Sequence, residues 1–64
     1  MENKVKEKII SILKEKGELT FEELSQYMNI DKFVLREIVA GMVRGSILLK
    51  VPNFERGKFV YKLA

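Results

Sequence analysis

The sequence predicts a small α+β domain in which three helices precede a two- or three-stranded antiparallel sheet. Apolar residues recur at helical spacing through the first two thirds of the chain, and two segments there begin with residues that cap helices. After Ser46 the pattern changes, and β-branched and aromatic residues flank a segment rich in turn formers. A length of 64 residues is enough for one domain, so we expect residues 1–64 to form a single unit.

The first helix is predicted over residues 3–16. Its apolar residues have the i, i+4, i+7 and i+8 spacing of one helix face and are Val5, Ile9, Ile12 and Leu13. Gly17 follows a basic last turn, at a position where a left-handed residue commonly ends a helix. Ile10 lies beside this face, and we expect it to make a second core contact rather than a dimer seam.

A second, short helix is predicted to begin at Phe21, because Thr20 and Glu23 have the spacing of a capping box. Its inward side chains are predicted to be Phe21, Leu24, Tyr27 and Met28. Asn29 suits a left-handed position that ends this helix after about eight residues. Ile30 is apolar within a turn, so we expect it to fill the corner between two helices.

The third helix is predicted over residues 32–45, with Asp31 as its N-cap. The residues predicted to form its buried face are Leu35, Ile38, Val39, Met42 and Val43. Gly41 lies in the helix interior, where glycine costs about 1 kcal/mol relative to alanine. Close packing against the first or second helix would explain its presence.

Two strands are predicted at residues 47–51 and 58–63, with a turn over residues 52–57 between them. Together they form a β-hairpin. Leu19 and its neighbours can add a third, very short strand to the edge of this hairpin.

Basic residues are concentrated in the second half of the chain. The net charge is +3, but residues 17–31 carry four acidic and no basic residues, whereas residues 32–64 carry seven basic and two acidic ones, a net +5. This distribution is typical of a protein that binds a polyanion. An ordinary solvated surface is the alternative interpretation. The abundance of lysine and glutamate also resembles the composition of thermophilic proteins.

Several functional classes are disfavoured by the composition. The chain has no cysteine and no histidine, so we expect no disulfide, no metal site and no cofactor. It lacks a glycine-rich phosphate loop, and Glu22 and Glu23 are adjacent on a helix and do not converge as an acid–base pair. We therefore expect no enzyme and no small-molecule substrate. Without a membrane-spanning apolar run or a signal peptide, the prediction is a cytoplasmic protein.

Two stretches have a characteristic pattern: residues 19–31, LTFEELSQYMNID, and residues 42–48, MVRGSIL. With the order helix, short strand, helix, tight turn, helix, hairpin, the chain resembles the winged helix-turn-helix family over nearly its whole length. That family typically has glycine directly before the first hairpin strand, where this chain has Ser46, with Gly45 one residue early. The resemblance implies binding of double-stranded DNA in transcription regulation. The third helix would lie in the major groove and the hairpin, or wing, against flanking backbone or minor groove.

The resemblance implies particular contacts around the third helix. Arg36 is the candidate for reading a guanine, since its fork can bond O6 and N7 together, and Lys32 is a candidate phosphate contact. Phe33 can contact either a thymine methyl group or a partner protein. Glu37 can accept a hydrogen bond from a cytosine amino group or form an exposed ion pair. Thr20 and the amides behind it can bond a phosphate, with the carboxylates of the second helix facing away.

The wing supplies the remaining candidates. Arg56 and Lys58 flank Gly57 at the tip, and Lys50 and Lys62 lie on the strands. Such residues can contact the DNA backbone or the minor groove. Alternatively, they protect an exposed sheet edge from aggregation.

Binding of a protein is the alternative function. The chain has more large apolar side chains than one small core can easily bury, and those predicted to be in excess are Ile10, Tyr27, Phe33, Val34 and Phe54. The domain can therefore act as a protein-interaction module through the surface around Phe33. A homodimer is also possible, since two-fold operators are bound by two-fold proteins.

Overall fold

Three helices and three strands are present along residues 2–64, the part of the chain that the computed structural model describes. The elements are α1 (Glu2–Lys16), β1 (Glu18–Leu19), α2 (Phe21–Tyr27), α3 (Lys32–Arg44), β2 (Leu48–Asn53) and β3 (Lys58–Leu63). The protein is thus an α+β domain with three helices and a three-stranded antiparallel sheet. Over residues 2–64, no helix has the length and apolar character needed to cross a membrane.

The sheet has the strand order β1-β3-β2, so the predicted third strand is confirmed. It pairs Leu19 with Tyr61 on the central strand. The hairpin differs from the prediction at its turn, because Pro52 and Asn53 pair with Phe59 and Lys58 and extend β2. The turn is therefore residues 54–57. Proline lacks a backbone N–H, and it is tolerated here because β2 is an edge strand.

One apolar core joins the helices to the sheet. Its most deeply buried members are Ile9, Leu13, Leu24, Leu35, Val39, Met42 and Leu48. The predicted inner faces of α1 and α3 are confirmed, and Ile10 and Ile30 pack against the core as expected. Tyr27 was predicted to point inward, and this was wrong, since it is 44% exposed. Met28, in extended conformation just after α2, is buried as predicted, and the centroid of the Tyr27 ring lies 5.7 Å from the ammonium group of Lys16.

Both predicted N-caps are confirmed. Thr20 Oγ1 accepts the Glu23 N–H at 3.1 Å and the Glu23 carboxylate accepts the Thr20 N–H at 2.9 Å, which completes the capping box. Asp31 accepts the backbone N–H groups of Phe33 and Val34. These bonds satisfy donors that the first turn of a helix leaves unpaired.

The left-handed conformation predicted for Asn29 is wrong. The helix ends one residue earlier than expected, with Met28 as an extended C-cap whose N–H donates to Ser25 O at 3.2 Å. Within residues 2–64, the non-glycine residue with positive φ is Ser46. The chain leaves α2 by extending rather than by reversing into a left-handed turn, which places Met28 in the core.

The hydrogen bonds at the end of α3 show why Ser46, and not Gly45, has a left-handed conformation. Ser46 N–H donates to Val43 O and Ile47 N–H donates to Met42 O, the two hydrogen bonds of a Schellman motif. This motif needs a left-handed residue, and Ser46 takes that conformation with φ of 63°, whereas Gly45 has φ of −83°. Serine therefore occupies the position that suits glycine.

The close packing predicted for Gly41 is wrong. A Cβ atom built there would meet only the guanidinium of Arg44, 3.8 Å away. The core side of α3 is formed by larger residues, and Gly41 lies half-buried beside them. No close approach of another element requires glycine at this position.

Candidate functional site

The first turn of α2 holds cations that come from α3. The guanidinium of Arg36 lies 4.2 Å from the centroid of the Phe21 ring. One residue further on, the Glu22 carboxylate accepts a hydrogen bond from Lys32 Nζ at 3.3 Å. Phe21 is buried while Arg36 is exposed, so the ring forms a fixed platform beneath an accessible guanidinium.

Glu23 holds a third cation, which comes from the hairpin turn. One of its carboxylate oxygens accepts the Thr20 N–H of the capping box, and the other lies 2.8 Å from the guanidinium of Arg56. Hydrogen bonds from Arg56 and from the Thr20 backbone lower the pKa of Glu23 to about 2. The same pair raises the pKa of Arg56. Both groups are therefore charged over the whole neutral range.

The hairpin turn is also fastened to the sheet. Asn53 Oδ1 accepts the Arg56 N–H at 3.0 Å, and Asn53 Nδ2 donates to Glu18 Oε1 at 3.3 Å. Asn53 thus links the turn to β1. This arrangement orients the Arg56 backbone while Glu23 orients its side chain, and the guanidinium lies beside the first turn of α2.

Three candidate residues, two from α3 and one from the hairpin turn, thus each contact a residue in the first turn of α2. We call this set the cation cluster, and its members are Lys32, Arg36 and Arg56. The expectation that the α2 carboxylates face away is wrong, since Glu22 and Glu23 each pair with a cluster residue. The capping-box spacing in the sequence indicated the direction of the Glu23 side chain, because this side chain must reach back toward the N-cap.

Thr20 is not free to bond a phosphate group, although the resemblance implied such a bond. Its residue surface is 4% exposed, its hydroxyl accepts the Glu23 N–H, and its own N–H donates to the Glu23 carboxylate. Both polar groups are therefore engaged within the capping box. We leave Thr20 out of the proposed contacts for this reason.

The lysines of the hairpin divide between the two faces of the sheet. Residues directly opposite in an antiparallel pair share a face. Lys58 is opposite Asn53 and Lys62 is opposite Leu49, so both lysines lie on the face that carries Asn53. Lys50 is on the other face, with its ammonium group 4.9 Å from the centroid of the Phe59 ring. The structure does not bring Lys50 together with the other two.

Phe33 and Glu37 lie in a groove on another side of α3. Their neighbours come from the start of α1 and from the turn before α3, and the full lining is Glu2, Val5, Ile30, Phe33, Val34, Glu37 and Ile38. We call it the apolar groove. Phe33 is 73% exposed there. The residues predicted to contact DNA through α3 are thus split between the cation cluster and this groove.

Sequence reasoning missed part of the exposed apolar surface. Ile47, Leu49 and Phe59 are all exposed, although each lies in or beside a predicted strand. Alternation along a strand indicates which residues share a face. It does not indicate whether another element covers that face, and here the helices leave these three side chains in contact with solvent.

The chain matched no family model, no curated protein and no solved structure. The chemistry of the surfaces described above therefore has to support any assignment of function.

Proposed function

We propose that this protein is a winged helix-turn-helix domain that binds double-stranded DNA, acting as a small transcriptional regulator. In this proposal α2 and α3 are the helix-turn-helix, α3 enters the major groove, and the β2–β3 hairpin is the wing. The observation that carries the proposal is the cation cluster. Side chains from α3 and from the hairpin turn meet there at the first turn of α2. A duplex that contacts both elements needs their cations near one another, and contact with the same helical turn supports this.

A phosphate group would replace the carboxylate that holds Lys32 in the free protein. The Lys32 and Glu22 side chains are 67% and 61% exposed, and ion pairs at such exposure contribute little to stability. Exchange of one anion for another is therefore inexpensive for Lys32. Glu23 and Asn53 hold Arg56 more firmly, beside the hairpin turn. Arg56 would therefore contact the part of the DNA backbone that lies next to this turn.

Arg36 would read sequence. Its stack on Phe21 restricts the guanidinium without using its hydrogen-bond donors, which leaves the fork able to bond guanine O6 and N7. Lys58 and Lys62 share a sheet face with Asn53, which bonds the turn, and would add phosphate contacts. Lys50 is on the opposite face and would contribute less.

Titration of a duplex at increasing salt concentration tests the proposal. Four cations at phosphates, which are Lys32, Arg56, Lys58 and Lys62, predict a slope of log K against log[salt] of about −3.6 per protomer. Lys58→Ala is expected to weaken all duplexes equally, and Arg36→Ala to weaken a selected sequence more than random DNA.

Lys8→Ala is the matched control, because Lys8 is exposed on α1 and remote in sequence from the proposed contacts. It should leave the affinity nearly unchanged. Absence of duplex binding at low salt would refute DNA binding. Equal losses in Lys8→Ala and Lys58→Ala would show that the cations act without a defined surface.

A further inference from the structure

The apolar groove is an open site with acidic groups at its margin. It has a volume of about 480 Å³, and its floor combines Val5 and Ile30 with the exposed side chain of Val34. Glu2 and Glu37 are its charged lining residues. Glu2 pairs with Lys6, but none of the ion pairs described within residues 2–64 involves Glu37. A complementary occupant needs a large apolar group next to a positive charge.

The tip of the hairpin has this chemistry. Phe54 is 90% exposed, the highest exposure among the large apolar side chains of residues 2–64. Pro52 and the half-exposed Phe59 adjoin it, together with the ammonium-bearing Lys58. Arg56 is paired with Glu23, so Lys58 is the charged residue that lines the tip beside Phe54. The tip therefore presents an aromatic ring with an ammonium group next to it.

We propose that the hairpin tip of one copy inserts Phe54 into the apolar groove of a second copy. Lys58 lines the tip, whereas Glu2 and Glu37 line the groove, so the charges of the two linings are complementary. The residues that line the groove and those around the tip have no member in common. Each copy can therefore use both surfaces at once, and such a head-to-tail contact produces oligomers longer than a dimer.

The contact is weak in solution. One aromatic anchor buries about 150–250 Å², whereas stable interfaces bury about 800 Å² on each partner. Self-association is therefore expected only at high protein concentration. If the proposed DNA binding holds, neighbouring copies on one duplex have an effective concentration in the millimolar range, and the same contact makes their binding cooperative.

Sedimentation with two complementary variants tests this contact without DNA. Phe54→Ser removes the anchor, and Val34→Lys places a positive charge in the groove that would meet Lys58. Both side chains are exposed, at 90% and 48%, so both variants are expected to fold, which thermal melts would check. Wild-type protein should increase in average mass beyond a dimer as its concentration rises, and each variant alone should stay monomeric.

The mixture of the two variants is decisive. It retains one intact groove, on Phe54→Ser, and one intact tip, on Val34→Lys, so it should form a heterodimer and nothing larger. Tyr27→Ser, which alters an exposed aromatic residue outside both surfaces, should associate like the wild type. A monomeric mixture, a variant that associates alone, or a wild-type mass that stays at the monomer or stops at the dimer would overturn the proposal. Duplex binding is measured separately, so either proposal can fail alone.

Discussion

Ser46 has a strained backbone conformation at the C-terminal end of α3. Its φ of 63° is required by the Schellman motif that ends α3. A left-handed conformation costs a residue with a Cβ atom about 1–2 kcal/mol. The two hydrogen bonds of the motif and the burial of Leu48 in the core are the favourable contributions that oppose this cost.

Ser46→Gly is expected to stabilise the protein. Relief of about 1–2 kcal/mol of strain exceeds the roughly 0.4–1 kcal/mol lost through the greater entropy of the unfolded chain. The net gain of about 0.5–1 kcal/mol corresponds to a rise in Tm of a few degrees in a domain of this size. Ser46→Ala, which retains Cβ, is the control and should give no rise in Tm. Equal Tm values for the glycine and alanine variants would contradict the argument from strain.

At the scale of elements, α2 is too short to be stable by itself. A helix of seven residues is well below the length at which isolated helices form in water. The capping box at one end and the burial of Phe21 and Leu24 stabilise it. The first turn of α2 also contacts cations from α3 and from the hairpin turn. The shortest helix is thus the one around which the cation cluster is arranged.

α3 contains a residue that its packing does not require. Gly41→Ala should raise the free energy of unfolding by about 1 kcal/mol, because a Cβ there meets only the end of the Arg44 side chain and alanine favours a helix. Urea denaturation measures the change. Gly57→Ala is the matched comparison, since Gly57 has φ of 66° and open space around it. It should be destabilising, and a loss of stability in Gly41→Ala would reveal a contact that the structure lacks.

At the scale of the molecule, the Glu23–Arg56 pair joins the helices to the hairpin. These residues are 33 positions apart in the sequence, and their side chains meet at 2.8 Å. The pair also depends on pH. The pKa of Glu23 is lowered from 4.5 to about 2 by Arg56 and by the Thr20 N–H, so the folded state holds the Glu23 proton less tightly than the unfolded state.

The contribution of Glu23 to stability should therefore be complete above pH 4.5 and decline as pH falls toward 2. In thermal melts, the Tm difference between wild type and Glu23→Gln should be constant near neutrality and shrink through this window. Glutamine can still accept the Thr20 N–H, so the variant mainly removes the charge. The control is Glu55→Gln, because Glu55 is next to Arg56 in the hairpin turn and is outside the described ion pairs. Its Tm difference from the wild type should show no such change. A Tm difference for Glu23→Gln that does not vary with pH would exclude the ion pair.

At the scale of the whole molecule, the residues of two proposed functions, which the sequence left as alternatives, are separated. DNA binding and protein binding both drew on the exposed residues of α3. In the structure, Arg36 and Lys32 lie with the cation cluster, whereas Phe33 and Glu37 lie in the apolar groove. A single helix therefore serves a basic surface and an acidic one. The two proposed contacts, with duplex and with a second copy, follow from this division.

The sequence by itself determined the elements, their caps and most of the core. Thr20 with Glu23 and Asp31 with Val34 are three residues apart, so their hydrogen bonds depend only on local geometry. The helical spacing likewise determined the inner faces of α1 and α3.

Only the tertiary structure decided which distant groups meet. Tyr27 is exposed while Met28 beside it is buried in the core, and Gly41 lacks a close neighbour because no other element approaches it. The partner of Arg56 and the apolar groove depend on how the hairpin and α1 pack against the other helices. Local hydrogen bonds are determined by spacing along the chain, whereas these contacts depend on the relative placement of elements, which no short segment specifies.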